Sequence, residues 1–235
     1  MESKRIRLDR YLSAQLGINK KDVRLLLAQK RVLVDGEIAN DIQLVIDDFT
    51  HVVCDGRELQ NKSPSYVMMN KPVGVVSATK DDQHKTVIDL LDRADKHDLH
   101  IVGRLDLNSS GLLLLTNDGR WSRRLMSPEH KVPKLYRVTL EYSISEEYIP
   151  AFAEGMYFPF EDITTLPAEL KIISDHVAEV SLVEGRYHQI KRMFGRFRNP
   201  VVGLHRVSIG GLVLDEGLAP GESRDLNLTE LDYGV

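Results

Sequence analysis

Residues 103–119 read GRLDLNSSGLLLLTNDG. A charged, turn-prone head, Gly103 to Ser110, runs straight into a strongly apolar stretch, Leu112 to Leu115. The apolar run reads as a buried strand, stopped by the turn Asn117-Asp118-Gly119. Burying a charge is costly unless it is paired. Arg104 and Asp106 stand at the mouth of that strand, where Asp106 reads equally as a turn-stabilising Asx residue or as a group for chemistry.

Working outward, the pattern mixes helix and strand. Arg120–Met126 reads as a helix ended by Ser127-Pro128, and His188–Arg196 reads as another. Leu135–Leu140 and Ala178–Val183 alternate as strands. Tyr66–Met69 is a short strand, Asn70–Gly74 a turn set by Pro72 and Gly74, and Val75–Ser77 a resumed strand. Residues 80–100 are polar, with a helix expected over Val87–Leu91. Beyond Val207 come two strand-like pieces and a turn at Pro220-Gly221. Regular βαβ alternation is absent, which predicts an α+β fold with a largely antiparallel sheet.

The first sixty or so residues form a separate pattern. Ile6, Leu8, Leu12 and Leu16 fall near helical spacing, with Gly17 as the stop. Asn19 begins a second helix, with an apolar face of Val23, Leu26 and Leu27. Arg31–Gly36 is a strand running into an Asp-Gly turn. Gln60–Ser65 reads as a linker. The expected domains are 1–62 and 63–235.

The sequence has 235 residues and a net charge of −4, so it is not a polycation as a whole. Its charge is nonetheless segregated. Residues 1–36 hold nine basic against four acidic residues, and residues 37–60 one against six. Arg7, Arg10, Lys20, Lys21, Arg24, Lys30 and Arg31 are candidates to track a phosphate backbone. Residues 120–137 and 184–206 each hold six basic residues against one acidic. Aromatics interleave with them: Trp121 and Tyr136 in one, Tyr187, Phe194 and Phe197 in the other. Cations beside stacking rings suit a nucleic-acid groove, although Phe194 and Phe197 read better as core.

Other chemistries find no support in the motifs. The eight histidines make no HxH, HxxxH or HExxH pattern, so no metal site is expected. Nucleotide-binding glycine loops and a GxSxG elbow are absent, so no cofactor is expected. The single cysteine, Cys54, excludes an intrachain disulfide and reads as a small core residue in a reducing compartment. The sequence contains no apolar run of about 18 residues, the length that would span a membrane. The expected setting is cytoplasmic, membrane-free and monomeric.

Several stretches together resemble the pseudouridine synthases of the RsuA/RluB/RluE/RluF type. GRLDLNSSGLLLLTNDG is similar to the family's catalytic signature, NKPVG (70–74) to its upstream turn, KLYRV (134–138) to its tyrosine strand, and EGRYHQIKRMF (184–194) to its basic helix. The N-terminal sixty residues resemble the S4-type RNA-binding module that precedes the catalytic domain in many members. DGRWS (118–122), the basic helix, and LHRVSIGGLVLDEGLAPGE (204–222) look most like the small-subunit branch.

The resemblance implies an isomerase that turns a uridine of ribosomal RNA into pseudouridine. The implied target is uridine 516 of 16S rRNA, free or in a pre-ribosomal particle. The same chemistry on 23S rRNA and a non-enzymatic S4-type RNA-binding protein are the alternatives. Asp106 takes the position of the catalytic carboxylate, Tyr136 that of the ring on the target base, and Lys191 that of the paired cation, with Arg192 as runner-up. RNA contact is implied for Arg104, Asn70, Lys71, Arg186, His188, Gln189 and Arg192, and apolar support for Leu204.

The reaction fits a sequence without cofactor motifs, because no atom is lost and no redox occurs. A base inside a helix must leave its stack to reach such a carboxylate. A carboxylate is ionised at neutral pH, and a nearby cation keeps it so when the base excludes water. Attack by the carboxylate and removal of a sugar proton both begin from that anion. Ser109-Ser110 replaces the family's threonine-bearing pair, and Arg196–Pro200 replaces a glycine-containing turn.

Overall fold

Leu112, Leu113, Leu114 and Leu115 are fully buried, because their strand is covered on both faces. That is why the run is continuous instead of alternating. The computed structural model describes residues 5–233 and divides into two units. The first takes the chain to Pro64 together with Asp118–Arg120; the second takes Ser65–Asn117 and the chain from Trp121.

In the first unit β1 (Ile6–Arg7), α1 (Leu8–Leu16) and α2 (Lys20–Ala28) precede β2 (Val32–Val34), β3 (Glu37–Ile38), β4 (Val45–Ile46), β5 (Val52–Cys54) and β6 (Arg57–Gln60). The strands make a sheet in the order β3-β2-β5-β6, and β1 pairs with β4. Gly17 ends α1 in the left-handed region at φ 65°, where a Cβ would be strained. Asn19 Oδ1 accepts the Lys21 and Asp22 amides and caps α2. Leu8, Leu12, Val23 and Leu27 close over Val32 and Val52 as one core. Cys54 is buried there, and burial raises its thiol pKa.

The rest of the chain forms β7 (Tyr66–Lys71), β8 (His100–Val102), β9 (Ser110–Thr116), α3 (Gly119–Met126, its first two residues counted with the first unit), β10 (Lys134–Leu140), α4 (Tyr148–Glu154), β11 (Tyr157–Phe158), β12 (Ile163–Thr164), β13 (Glu169–Ser174), β14 (Val177–Leu182), α5 (Gln189–Gly195), β15 (Val201–Ile209), β16 (Leu212–Val213), β17 (Ser223–Asp225) and α6 (Leu228–Tyr233) of the second unit. Its main sheet runs β13-β14-β10-β15-β9-β7-β17, with β8 on β9 and β16 on β15. Every pair is antiparallel except β15 with β9, so the fold is α+β. Leu113 and Leu115 pack on one face of β9 with Val67, Met69 and Leu105. Leu112 and Leu114 pack on the other with Met68, Trp121 and Leu125.

Two local expectations are corrected. Val87–Leu91 is not a helix: Thr86 and Asp89 exchange side-chain and backbone hydrogen bonds that close one turn, and no longer ladder follows. Val75–Ser77 is not a strand; Val76 makes a single bridge to Thr86. The elements α4 and β11–β13 arise where neither periodicity is strong, and Phe152 and Leu170 anchor them in a third apolar cluster.

Candidate active site

The loop between β8 and β9 is fastened along its whole length. Ser77 Oγ bonds Leu105 through both its carbonyl (2.7 Å) and its amide (3.1 Å). The Gly74 amide donates to the Leu107 carbonyl at 2.9 Å. Lys71 Nζ donates to the carbonyls of Asp106 (3.0 Å), Ser109 (2.7 Å) and Pro72 (3.0 Å). Arg206, buried in β15, ties the loop's two ends through Gly103 (2.6 Å) and Leu112 (2.8 Å). The backbone around Asp106 is thus set by bonds from a turn and two buried cations, which leaves its carboxylate to face outward.

That carboxylate lies on a cleft of about 620 Å³. His188 Nε2 is 3.1 Å from Asp106 Oδ2 and Lys191 Nζ is 3.7 Å from the same oxygen. Tyr136, Arg104, Arg186 and Leu204 line the same cleft. Tyr136 stands on β10 where its register with β15 shifts, and it packs against two of the apolar clusters. Arg104 is exposed at the rim.

The opposite wall is built by α5. Ile190, Met193 and Phe194 face the core at helical spacing, which leaves neighbouring positions outward. Successive residues differ by about 100° around the axis, and the structure uses that difference. Lys191 turns to Asp106, while Arg192 grips Glu161 with two bonds of 2.5 Å and lies over the Phe158 ring. His188 precedes the helix at φ 50°, an uncommon conformation for a residue with a side chain. The turn that carries it is braced: Glu184 accepts from Arg186 Nε and Gln189 Nε2, and Gln189 Oε1 accepts the Arg186 amide. Tyr187 stacks on the His188 ring at 3.9 Å between centroids.

Several expected RNA contacts are corrected. Lys71 is wholly buried, and its ammonium is spent on three carbonyls beneath the loop. Burial pushes it down to about 8, with Arg206 adding to the fall and the Asp106 charge opposing it. Asn70 bonds the C-terminal segment through Leu218, Glu222 and Gly221 and does not line the cleft. Arg192 is drawn away to Glu161, and Gln189 is a buried brace. Within the basic clusters Lys134 and Arg206 are buried, so neither adds to a surface patch. Trp121 is core, edge-on to Tyr66. Phe194 is core as expected, and Phe197 stacks on Tyr148.

In the first unit Arg10, Lys21, Arg24 and Lys30 are exposed. Arg7 and Lys20 are both drawn to buried Asp9, at 2.6 and 3.5 Å, and the Arg7 hydrogen bond leads in holding that carboxyl below its usual range. Arg31 pairs with Asp55 at 2.6 Å. Lys4, counted in the same cluster, lies outside the described residues. Glu161, Glu184 and Arg206 are the participants that sequence reasoning missed. Arg206 had a signal, a lone charge inside the strand-like run LHRVSI.

The cleft thus holds a carboxylate with the His188 and Lys191 nitrogens beside it, walled by the interior strands β10 and β15. Residues 65–195 match the family model described as RNA pseudouridylate synthase, and the chain belongs to that family. It is of the RsuA type. Over 227 residues it is 47% identical to the ribosomal small subunit pseudouridine synthase A of Pseudomonas aeruginosa, covering 96% of this chain and 99% of that one. It is 42% identical over 227 residues to the protein of the same name from Escherichia coli K12, covering 96% and 98%. A crystal structure of a pseudouridylate synthase superposes with a TM-score of 0.72 at 38% identity, covering 98% of this chain and 100% of that one.

Proposed function

We propose that the protein converts one uridine of small-subunit ribosomal RNA to pseudouridine, with Asp106 as the catalytic carboxylate, and that the target is uridine 516 of 16S rRNA. The observation that carries the role of Asp106 is its position, 3.1 Å from His188 and 3.7 Å from Lys191 on the cleft. The ribosomal target is supported by the names of full-length relatives.

The reaction breaks the bond from the sugar C1′ to N1 and joins C1′ to C5. The proton at C5 is lost and N1 gains one, so atoms and oxidation state are conserved and no cofactor is called for. Asp106 begins the reaction as an anion. The Lys191 ammonium supports that charge when the uracil displaces water. Tyr136 lies against the extruded base, and Arg104 holds the ribose-phosphate at the rim. The first unit acts as an S4-type RNA-binding module that uses the exposed cations of α1 and α2. The enzyme works as a cytoplasmic monomer on free RNA or on an assembling particle.

The test is pseudouridine mapping of both ribosomal RNAs, by carbodiimide-stop primer extension, from cells with and without the gene. We expect one small-subunit uridine to lose its modification. Wild type restores it, and Asp106→Asn, slower by about 10²–10⁴-fold or more, does not. A lost large-subunit site would keep the chemistry and move the target. If no site is lost while RNA binding persists, the protein is a binding factor.

A further inference from the structure

Beside the cleft runs a second groove of about 540 Å³ that the mechanism above does not use. Asn108, Lys191 and Leu204 line both, so the two adjoin at these side chains. The volume falls within the ~300–1,000 Å³ typical of small-molecule sites. Three features set its chemistry. Arg137 has a side chain 56% exposed, and its guanidinium is engaged at one corner by Glu179 at 3.1 Å. An arginine fork carries five N–H donors, which suits it to a second anion. His205 is half-buried, its Nδ1 2.9 Å from Ser110 Oγ, and burial followed by the Arg137 charge lowers its pKa, so the ring is neutral near pH 7. Val73 and Val202 expose 59% and 62% of their surface along the same groove.

A uridine in the cleft stays joined to its neighbours through a phosphodiester on each side. Its backbone must leave the cleft, and this groove adjoins it and offers cation, ring and apolar surface together. We propose that the groove seats a nucleotide adjacent to the target uridine, its phosphate against Arg137 and Lys191 and its sugar or base against His205 and Val202. The inference rests on the uridine-isomerising reading and extends it to the flanking residue of the substrate.

The test uses the full-length protein and 16S rRNA fragments centred on the uridine that mapping identifies. Each linkage within two nucleotides of that uridine is replaced, one at a time, by a neutral 2′-deoxy methylphosphonate. KM for pseudouridine formation and filter-binding Kd are measured with wild type, Arg137→Gln and Val202→Glu. Both substituted side chains are exposed, so the variants test binding and not folding. Arg137→Gln should raise KM and Kd about threefold to tenfold and reduce the magnitude of the slope of log K against log salt by ~0.7, as for one phosphate contact to a single strand. Val202→Glu should weaken binding by at least as much. At one linkage the neutral substitution should weaken wild type and add nothing to Arg137→Gln, the signature of a direct contact.

The proposal is overturned if Arg137→Gln leaves KM and Kd unchanged. It is also overturned if the losses from variant and neutral linkage multiply at every position. A wild type that binds these RNAs without forming pseudouridine would overturn the proposed reaction, and the binding comparison would still decide the groove.

Discussion

Lys71 Nζ is surrounded by three carbonyl oxygens, those of Pro72, Asp106 and Ser109, and its side chain has no solvent exposure. The ammonium brings three protons to three acceptors; the neutral amine brings two. With its pKa near 8, below the ordinary 10.5 of an unfolded chain, Lys71 loses its proton first in the folded state. Two effects of opposite sign follow. Between about pH 8 and 10.5 the unfolded chain binds more protons, so the contribution of this group to stability rises with pH. Over the same range the loop under Asp106 loses one of its ties. The turnover rate should therefore fall on the alkaline side with a midpoint near 8. A pH–rate profile checks this, and the limb should be absent from the slower Lys71→Met enzyme. That variant removes the Lys71 donor from the Ser109 carbonyl and should lose about 1–3 kcal/mol in urea denaturation.

At the scale of the element, β9 sets the position of the site because it is an interior strand, held between β15 and β7. Its four leucines hold it from both faces, and its first residues pair in parallel with β15 at Ser110↔His205 and Gly111↔Arg206. Gly111 sits at φ 102°, and a Cβ there would lie 2.3 Å from the Arg206 carbonyl oxygen. Gly111→Ala should cost about 2–4 kcal/mol from backbone strain and crowding. Because β15 also carries the Arg206 side chain that ties Gly103 to Leu112, the same change should lower the rate constant more than it raises KM. Urea denaturation and steady-state kinetics test the two halves. Sequence made β9 legible, since a short apolar run closed by the Asn117-Asp118-Gly119 turn reads as a strand covered on both faces. Its parallel partner was not legible, because β15 lies some ninety residues further along and pairs through two positions only.

At the scale of the molecule, the second unit holds three apolar clusters built from its own residues, and the first holds one. A chain lacking residues 1–64 should keep the cleft and modify a short uridine-containing RNA. Its affinity for intact ribosomal RNA should fall by about tenfold or more, because the exposed cations of α1 and α2 are gone. Filter binding and primer extension separate the two effects. For the whole protein, log K should fall linearly with log salt, although the net charge is −4, since a phosphate responds to local charge and not to the sum.

The sequence by itself determined the α+β class, the strand Leu112–Leu115 with the loop that precedes it, and the helix that carries Lys191. Each is written in contiguous residues, as a periodicity, a turn signal or a charged head on an apolar run. Only the tertiary structure decided which cations reach the cleft. Arg206, Lys191 and Arg192 read alike as basic residues of one cluster, and Lys71 joined them as an RNA contact through the resemblance alone. Two are buried as ties for the loop, one faces Asp106, and one is claimed by Glu161. The reason is that burial and ion pairing depend on carboxylates and carbonyls brought in from distant segments: Glu161 lies 31 residues from Arg192, and Gly103 lies 103 residues from Arg206.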